Sequence, residues 1–192
     1  MKNNVQITTV KSDADVQGIL DLQQRNLKKN ISAETIKSQG FVTVEHTFEV
    51  LRRMNDAEPS VIVKHDEKVV GYCLAMLPKF RNDVPELISL FDGIDQILFE
   101  NSLLKNANYC VMGQVCVGEG YRGMGFFDGM YDKLREVLSG RYGLCITDIS
   151  TLNTRSMAAH ARVGFVPVHD FFDKSLNETW RIVLWDWRKI AT

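Results

Sequence analysis

The chain has 192 residues, with 23 Lys+Arg against 24 Asp+Glu and a formal net charge of −1. That length suits one domain (1–192) with a real core, and 45% hydrophobic with 24% charged residues excludes disordered and collagen-like chains. Near-neutral charge removes the electrostatic pull that non-specific nucleic-acid binding needs, and no apolar run is long enough to span a bilayer, so neither partner is expected.

The opening MKNNVQITTVKSDADVQ holds no signal-peptide core. Cys73, Cys110, Cys116 and Cys145 form no CxxC pair and have no His at zinc-like spacing. They read as reduced core thiols of a cytoplasmic protein, with no bound metal.

Val5–Thr9 alternates as a strand, and Val16, Ile19, Leu20 and Leu27 then recur at helical spacing. Ser32 is a candidate N-cap for a short helix closed by Gly40. His46, Val50, Leu51 and Met54 mark a third helical run. Residues 60–64 and 68–77 read as a β-hairpin about His65-Asp66-Glu67. Residues 86–100 place Leu87, Leu90, Phe91, Ile94, Ile97 and Leu98 on one helical face, despite Gly93.

Tyr109–Val117 is β-rich and runs into a loop too glycine-rich to continue a strand. Phe126, Phe127, Met130, Tyr131, Leu134, Val137 and Leu138 then form an amphipathic helix. Residues 144–151 read as a strand, and 153–163 as a helix with Asn153 as N-cap and Gly164 at its end. Strands at 165–172 and 179–187 finish a mixed α/β chain with one strong β-α-β unit at 111–151.

The loop carries the chemical signal. Gly118-x-Gly120-x-x-Gly123 is a literal G-x-G-x-x-G, with Asp148 on the next strand, as a dinucleotide site would have. Yet only about one helix and two strands follow that unit, and Asp148 lies inside its strand rather than at its end. A shifted frame fits better: Arg122-Gly123-Met124-Gly125-Phe126-Phe127 sets an Arg and two glycines at a strand-to-helix turn. Backbone N–H groups and the positive helix end make that turn an anion site, open to a pyrophosphate.

The segment from Val115 to Phe127 resembles the acetyl-CoA motif R/Q-x-x-G-x-G/A of the GCN5-related N-acetyltransferase (GNAT) superfamily. Asn153-x-x-Ser156-x-x-x-His160-x-x-x-Gly164-Phe165 resembles that family's second signature. The likeness is firm over about residues 60–187. It implies the acyl-CoA N-acyltransferase fold: an α/β (α+β) chain with a mixed, mostly antiparallel sheet of about seven strands flanked by helices.

It also implies transfer of an acetyl group from acetyl-CoA to a primary amine, by direct attack in a ternary complex. Val115, Cys116 and Val117 would pair with pantetheine through their backbone. Arg122, Gly123, Met124, Gly125, Phe126 and Phe127 would hold the pyrophosphate, and Asn153 the pantetheine arm. His160 stands where the family usually has a Tyr that protonates the departing thiolate, and is the candidate acid. Gln114 stands where the family often has a Glu base, while the apolar neighbours of Cys116 argue for an inert thiol. Phe127 departs from the small residue that usually ends the first motif.

The acceptor is a small-molecule or peptide amine, and a homodimer is common in the family. A catalytically inactive acyl-CoA-binding sensor or scaffold is the alternative function, and NAD(P) binding a third.

Overall fold

The computed structural model describes residues 5–32, 34, 36, 41–174 and 176–189. In chain order the elements are β1 (Val5–Thr9), α1 (Asp13–Asn26), α2 (Phe48–Ala57), β2 (Val61–His65), β3 (Lys68–Met76) and α3 (Ile88–Ile94). There follow β4 (Leu98–Phe99), β5 (Ser102–Leu103), β6 (Tyr109–Val117), α4 (Phe126–Leu138), β7 (Leu144–Ser150), α5 (Thr154–Val163), β8 (Val166–Asp173) and β9 (Glu178–Asp186). Seven strands form one sheet in the order β1-β2-β3-β6-β7-β9-β8. β6 and β7 are parallel, while β1/β2, β2/β3, β7/β9 and β8/β9 are antiparallel. The expected mixed, mostly antiparallel α/β sheet is therefore present.

The chain divides into two compact units. One combines the residues up to Met76 with Met112–Leu138. Here α1 packs on β3, and α4 packs on β1, β2 and β3. Ser12 caps α1 in a capping box with Asp15, and Asp15 also pairs with Lys64 at 3.1 Å. Val16, Ile19 and Leu22 of α1, Leu51 and Met54 of α2, and Met130, Leu134 and Leu138 of α4 are all buried. Each such side chain contributes roughly 1.5–3 kcal/mol of burial. A Cβ added at Gly129 would meet Ile7 Cδ1 at 2.5 Å, so glycine there lets α4 lie close on the sheet.

The second unit, Leu77–Val111 with Ser139 onward, holds the parallel pairing of Tyr109, Cys110 and Val111 with Leu144, Cys145 and Ile146. α3 packs on β8 and β9. α5 starts at its Asn153 cap and stops at Gly164, whose φ of +121° and 2.7 Å approach of an added Cβ to Trp185 Nε1 leave room for glycine alone. After the β6-α4-β7 unit the next sheet neighbour, β9, runs antiparallel, which is not how a dinucleotide-binding half continues.

Two sequence expectations are corrected. The helix expected over 86–100 is only the seven residues of α3, preceded by a 3-10 turn at Pro85–Leu87. The pair Glu100 and Asn101, at φ +48° and +68°, instead turns a small β4/β5 hairpin, and Leu98 is 69% exposed. His46 is not on a helix either, because Thr47 caps α2 and the backbone of 43–47 has no regular structure. Gly40, the expected end of the short helix after Ser32, lies outside the described residues; one helical bond, Ile36 N–H to Ser32 O at 2.9 Å, is present. All four cysteines are buried thiols, none of them in a disulfide. Among the described residues no helix is long and apolar enough to cross a membrane.

Candidate functional site

β6 ends where the Gly118 N–H donates to Val70 O at 2.8 Å, and the chain turns at once through a Tyr121 N–H to Gly118 O bond of 3.1 Å. Gly120, Gly123 and Gly125 have φ of +82°, +78° and +82°, and a Cβ at any of them would meet nothing within 4 Å. Positive φ without crowding means that glycine serves the backbone path and keeps one face of the loop bare. α4 begins immediately after, so its first-turn N–H groups, which have no partner inside the helix, join this surface. Phe126 and Phe127 are half-buried, and the Phe127 ring turns along the helix onto Tyr131, 5.1 Å between centroids. Its bulk is therefore packed against its own helix. Met124 at the loop tip is 64% exposed.

The Arg122 guanidinium binds the chain itself. Its Nε donates to Val117 O at 2.9 Å and Nη2 donates to Asn26 Oδ1 at 2.7 Å. Asn26 is in turn fixed by its Nδ2 donating to Leu22 O at 2.8 Å. Arg122 thus clamps the glycine loop to the end of β6 and to α1, and its positive charge comes with that clamp. On the other side of the loop Tyr121 OH and His65 Nδ1 are hydrogen-bonded, with the rings edge to face at 5.6 Å.

Upstream on β6, Gln114 and Cys116 are buried on the same face of the strand. Gln114 Oε1 accepts from Tyr72 OH at 2.6 Å and from Gln23 Nε2 at 2.9 Å, while its Nε2 donates to Val44 O at 2.9 Å. Both lone pairs of that oxygen are used, so Gln114 is a structural hub in the place where a base was sought. Burial pushes the Cys116 thiol up to about 12, which makes it a poor nucleophile.

In the other unit, the Asn153 side-chain oxygen accepts from the Ser156 N–H at 3.1 Å. One turn beyond Ser156, His160 is 2% exposed, and its ring stands edge-on to Phe165 at 5.3 Å. Its Nδ1 lies 2.8 Å from Ser156 O, a carbonyl that can only accept, so Nδ1 carries the proton. Burial lowers its pKa to about 4, leaving a neutral imidazole at ordinary pH.

The structure brings Gly123, Met124, Gly125, Phe126 and Phe127 around one loop-to-helix junction, with Val115, Cys116 and Val117 leading into it. Sequence reasoning missed Gln23, Asn26, Tyr72, His65 and Tyr121. The first two had a signal: polar side chains at positions of α1 that share the buried face of Ile19 and Leu22.

A search of curated protein sequences gives no match. Among solved structures, the NatC complex bound to Gag peptide and CoA is similar at 10% identity, covering 95% of this chain and 98% of that one, with a TM-score of 0.63. A protein named yncA from Salmonella typhimurium, solved with its cofactor acetyl-CoA, is 12% identical over 98% and 97% of the two chains, at 0.62. The ribosomal-protein-S18-alanine N-acetyltransferase from Escherichia coli is 11% identical over 98% and 97%, at 0.61. These likenesses show a shared fold. The model of the acetyltransferase (GNAT) family matches residues 30–165, and with the glycine loop and helix start of that family in place the chain belongs to it.

Proposed function

We propose that the chain, acting as one domain, transfers an acetyl group from acetyl-CoA to a primary amine by direct attack in a ternary complex. The observation that carries this reading is the bare loop of Gly120, Gly123 and Gly125 at the start of α4, held by Arg122. Such a surface suits a pyrophosphate, which the backbone N–H groups of residues 123–127 would bind. Val115, Cys116 and Val117 would carry the pantetheine on their backbone, and Asn153 would touch the same arm. The amine nitrogen bonds to the thioester carbonyl carbon as the C–S bond breaks, and the proton it sheds ends on the thiolate. NatC solved with a peptide and CoA, and yncA solved with acetyl-CoA, support an acyl-CoA cosubstrate and an amine acceptor. A cytoplasmic location fits the four reduced, buried thiols.

His160 has a different part in this reading. Neutral, enclosed and bonded to Ser156, it seats α5 rather than protonating the thiolate. His160→Phe is expected to lower stability by about 1–3 kcal/mol while leaving the pH dependence of kcat unchanged in the protein that stays folded. Loss of one limb of the kcat profile at full stability returns His160 to the role of acid.

The test of the function is thermal shift with acetyl-CoA, CoA and NADPH, followed by thiol release with a panel of amines. Stabilisation by the two CoA species and amine-dependent thiol release are expected, whereas stabilisation by NADPH alone overturns the reading. A second reading, an inactive acyl-CoA sensor, is favoured by one observation: the Gln114 amide cannot ionise, and His160 is enclosed with its Nδ1–H directed at Ser156 O. Affinity for acetyl-CoA without thiol release would select it.

A further inference from the structure

The two side chains between Gly120 and Gly123 tie the glycine loop to different parts of the fold. Arg122 reaches back, to Val117 O and to Asn26, both of which precede the loop in the chain. Tyr121 reaches to β2 and forward to α4. Its hydroxyl is hydrogen-bonded to His65 Nδ1 at the end of β2, and its ring centroid is 6.4 Å from that of Phe126, the first residue of α4. His65 stands edge to face on the same ring at 5.6 Å. Both ring distances are those of aromatic pairs in contact. A row of three rings therefore joins β2 to the start of α4 across the stretch that contains Gly123 and Gly125.

That stretch gains little support of its own. Gly123, Met124 and Gly125 are exposed, and a Cβ at either glycine would meet nothing within 4 Å. Glycine takes positive and negative φ with similar ease, so two glycines in three residues leave the backbone loose. A site made of backbone N–H groups binds well only when they already converge. Ordering each loose residue at the moment of binding costs roughly 1–2 kcal/mol. Arg122 holds the entry to the loop, and Tyr121 holds its exit.

The β2/β3 hairpin is shaped to carry this contact. Val63 pairs with Gly71 and Lys64 with Val69, so Val70 bulges out of the ladder. Its carbonyl accepts from the Gly118 N–H at 2.8 Å, where the loop departs from β6. His65 follows on the partner strand and takes Tyr121. Lys64, on the opposite face of β2 from His65, pairs with Asp15 in the first turn of α1 at 3.1 Å, so the end of the hairpin is anchored in turn.

Building on the acetyl-CoA reading, we infer that Tyr121, secured by His65, is a positioning residue for the cosubstrate: it holds the backbone of 123–126 in the shape that presents its N–H groups to the pyrophosphate. The pair acts through the loop backbone rather than by contact with the ligand.

Three single variants test this. Tyr121→Phe removes the hydroxyl and keeps the ring, His65→Leu removes its partner, and His65→Asn keeps an acceptor near the place of Nδ1. Calorimetric titration with CoA, steady-state rates and thermal midpoints are measured for each and for the Tyr121→Phe/His65→Leu double variant. Tyr121→Phe and His65→Leu should each weaken CoA binding about five- to tenfold, raising the KM for acetyl-CoA with kcat unchanged at saturation. The double variant should be no weaker than either single one, since all three lose the same bond, and His65→Asn should recover most of the affinity. In ligand-free protein the NMR order parameters of residues 123–126 should fall from about 0.85 toward about 0.6 in Tyr121→Phe. Wild-type affinity in folded Tyr121→Phe overturns the inference, and with a lowered thermal midpoint it makes the pair a structural contact only. Additive losses in the double variant, or unmoved order parameters, overturn it as well. Failure of the wild-type protein to bind CoA overturns the underlying reading instead, and the order parameters still report whether Tyr121 holds the loop.

Discussion

Gly123→Glu is expected to abolish acetyl-CoA binding with little effect on the fold. Gly123 is exposed, sits at φ +78°, and a Cβ there meets nothing within 4 Å, so the side chain has space and the cost is the left-handed backbone alone, about 1 kcal/mol. For a pyrophosphate on the same loop the change is severe. A carboxylate would stand among the N–H groups proposed to receive the phosphates, adding bulk and like charge at close range. Affinity should fall by at least about a hundredfold. Gly123→Ala separates the terms, since it carries the backbone strain without the charge and should keep most of the binding. Gly140→Glu, also at an exposed glycine with nothing within 4 Å of an added Cβ, is the control for surface charge and should bind as wild type. Calorimetric titration with CoA reads all three. Unaltered affinity in Gly123→Glu would move the pyrophosphate away from this loop.

That loop was legible in the sequence because glycine spacing records backbone conformation directly. Positions 120, 123 and 125 need positive φ, and only their spacing next to a β-rich run and an amphipathic helix was required to find them. β1 and β6 were legible residue for residue, since alternation and β-branched content are local properties. The failures are equally physical. Residues 86–100 keep helical spacing past the point where Glu100 and Asn101 turn the chain back, because a left-handed pair leaves no mark in the apolar pattern. Arg122 is legible as a cation at the anion loop, but its bonds to Asn26 and Val117, far from it or behind it in sequence, come only with the fold. The Gln23–His46–Gln114–Tyr72 network spans the same gap: four polar residues from four segments, whose pairing no local pattern marks, become one determined set of donors and acceptors when buried together.

Asp148 supplies the second large effect, on stability and its pH dependence. It lies inside β7 opposite Ile182, and burial, with Asp173 nearby as a second carboxylate, raises its pKa from 3.8 to about 7. Around it, Asp173 accepts from the Leu176 N–H at 3.1 Å, and Glu178 on β9 accepts from Ser150 Oγ. The folded chain therefore binds a proton between pH 3.8 and about 7 that the unfolded chain releases, and this contribution to stability is lost as pH rises through that window. Since the side chain is only partly enclosed, the full linkage value is discounted, and Asp148→Asn is expected to gain about 2 kcal/mol at about pH 8 and less than half of that at about pH 5. His46 and His160 work in the opposite direction. Their folded pKa values of about 4 lie below the ordinary 6.5, so their contributions are present above 6.5 and lost as pH falls toward 4. In the wild type the Asp148 proton offsets part of that acid loss. Asp148→Asn should consequently steepen the fall in stability between about pH 6.5 and 4, from a net uptake of about one proton on unfolding to about two. Denaturant unfolding of both proteins across this range measures the slopes, and a gain that is the same at pH 5 and pH 8 would show that Asp148 does not titrate on unfolding.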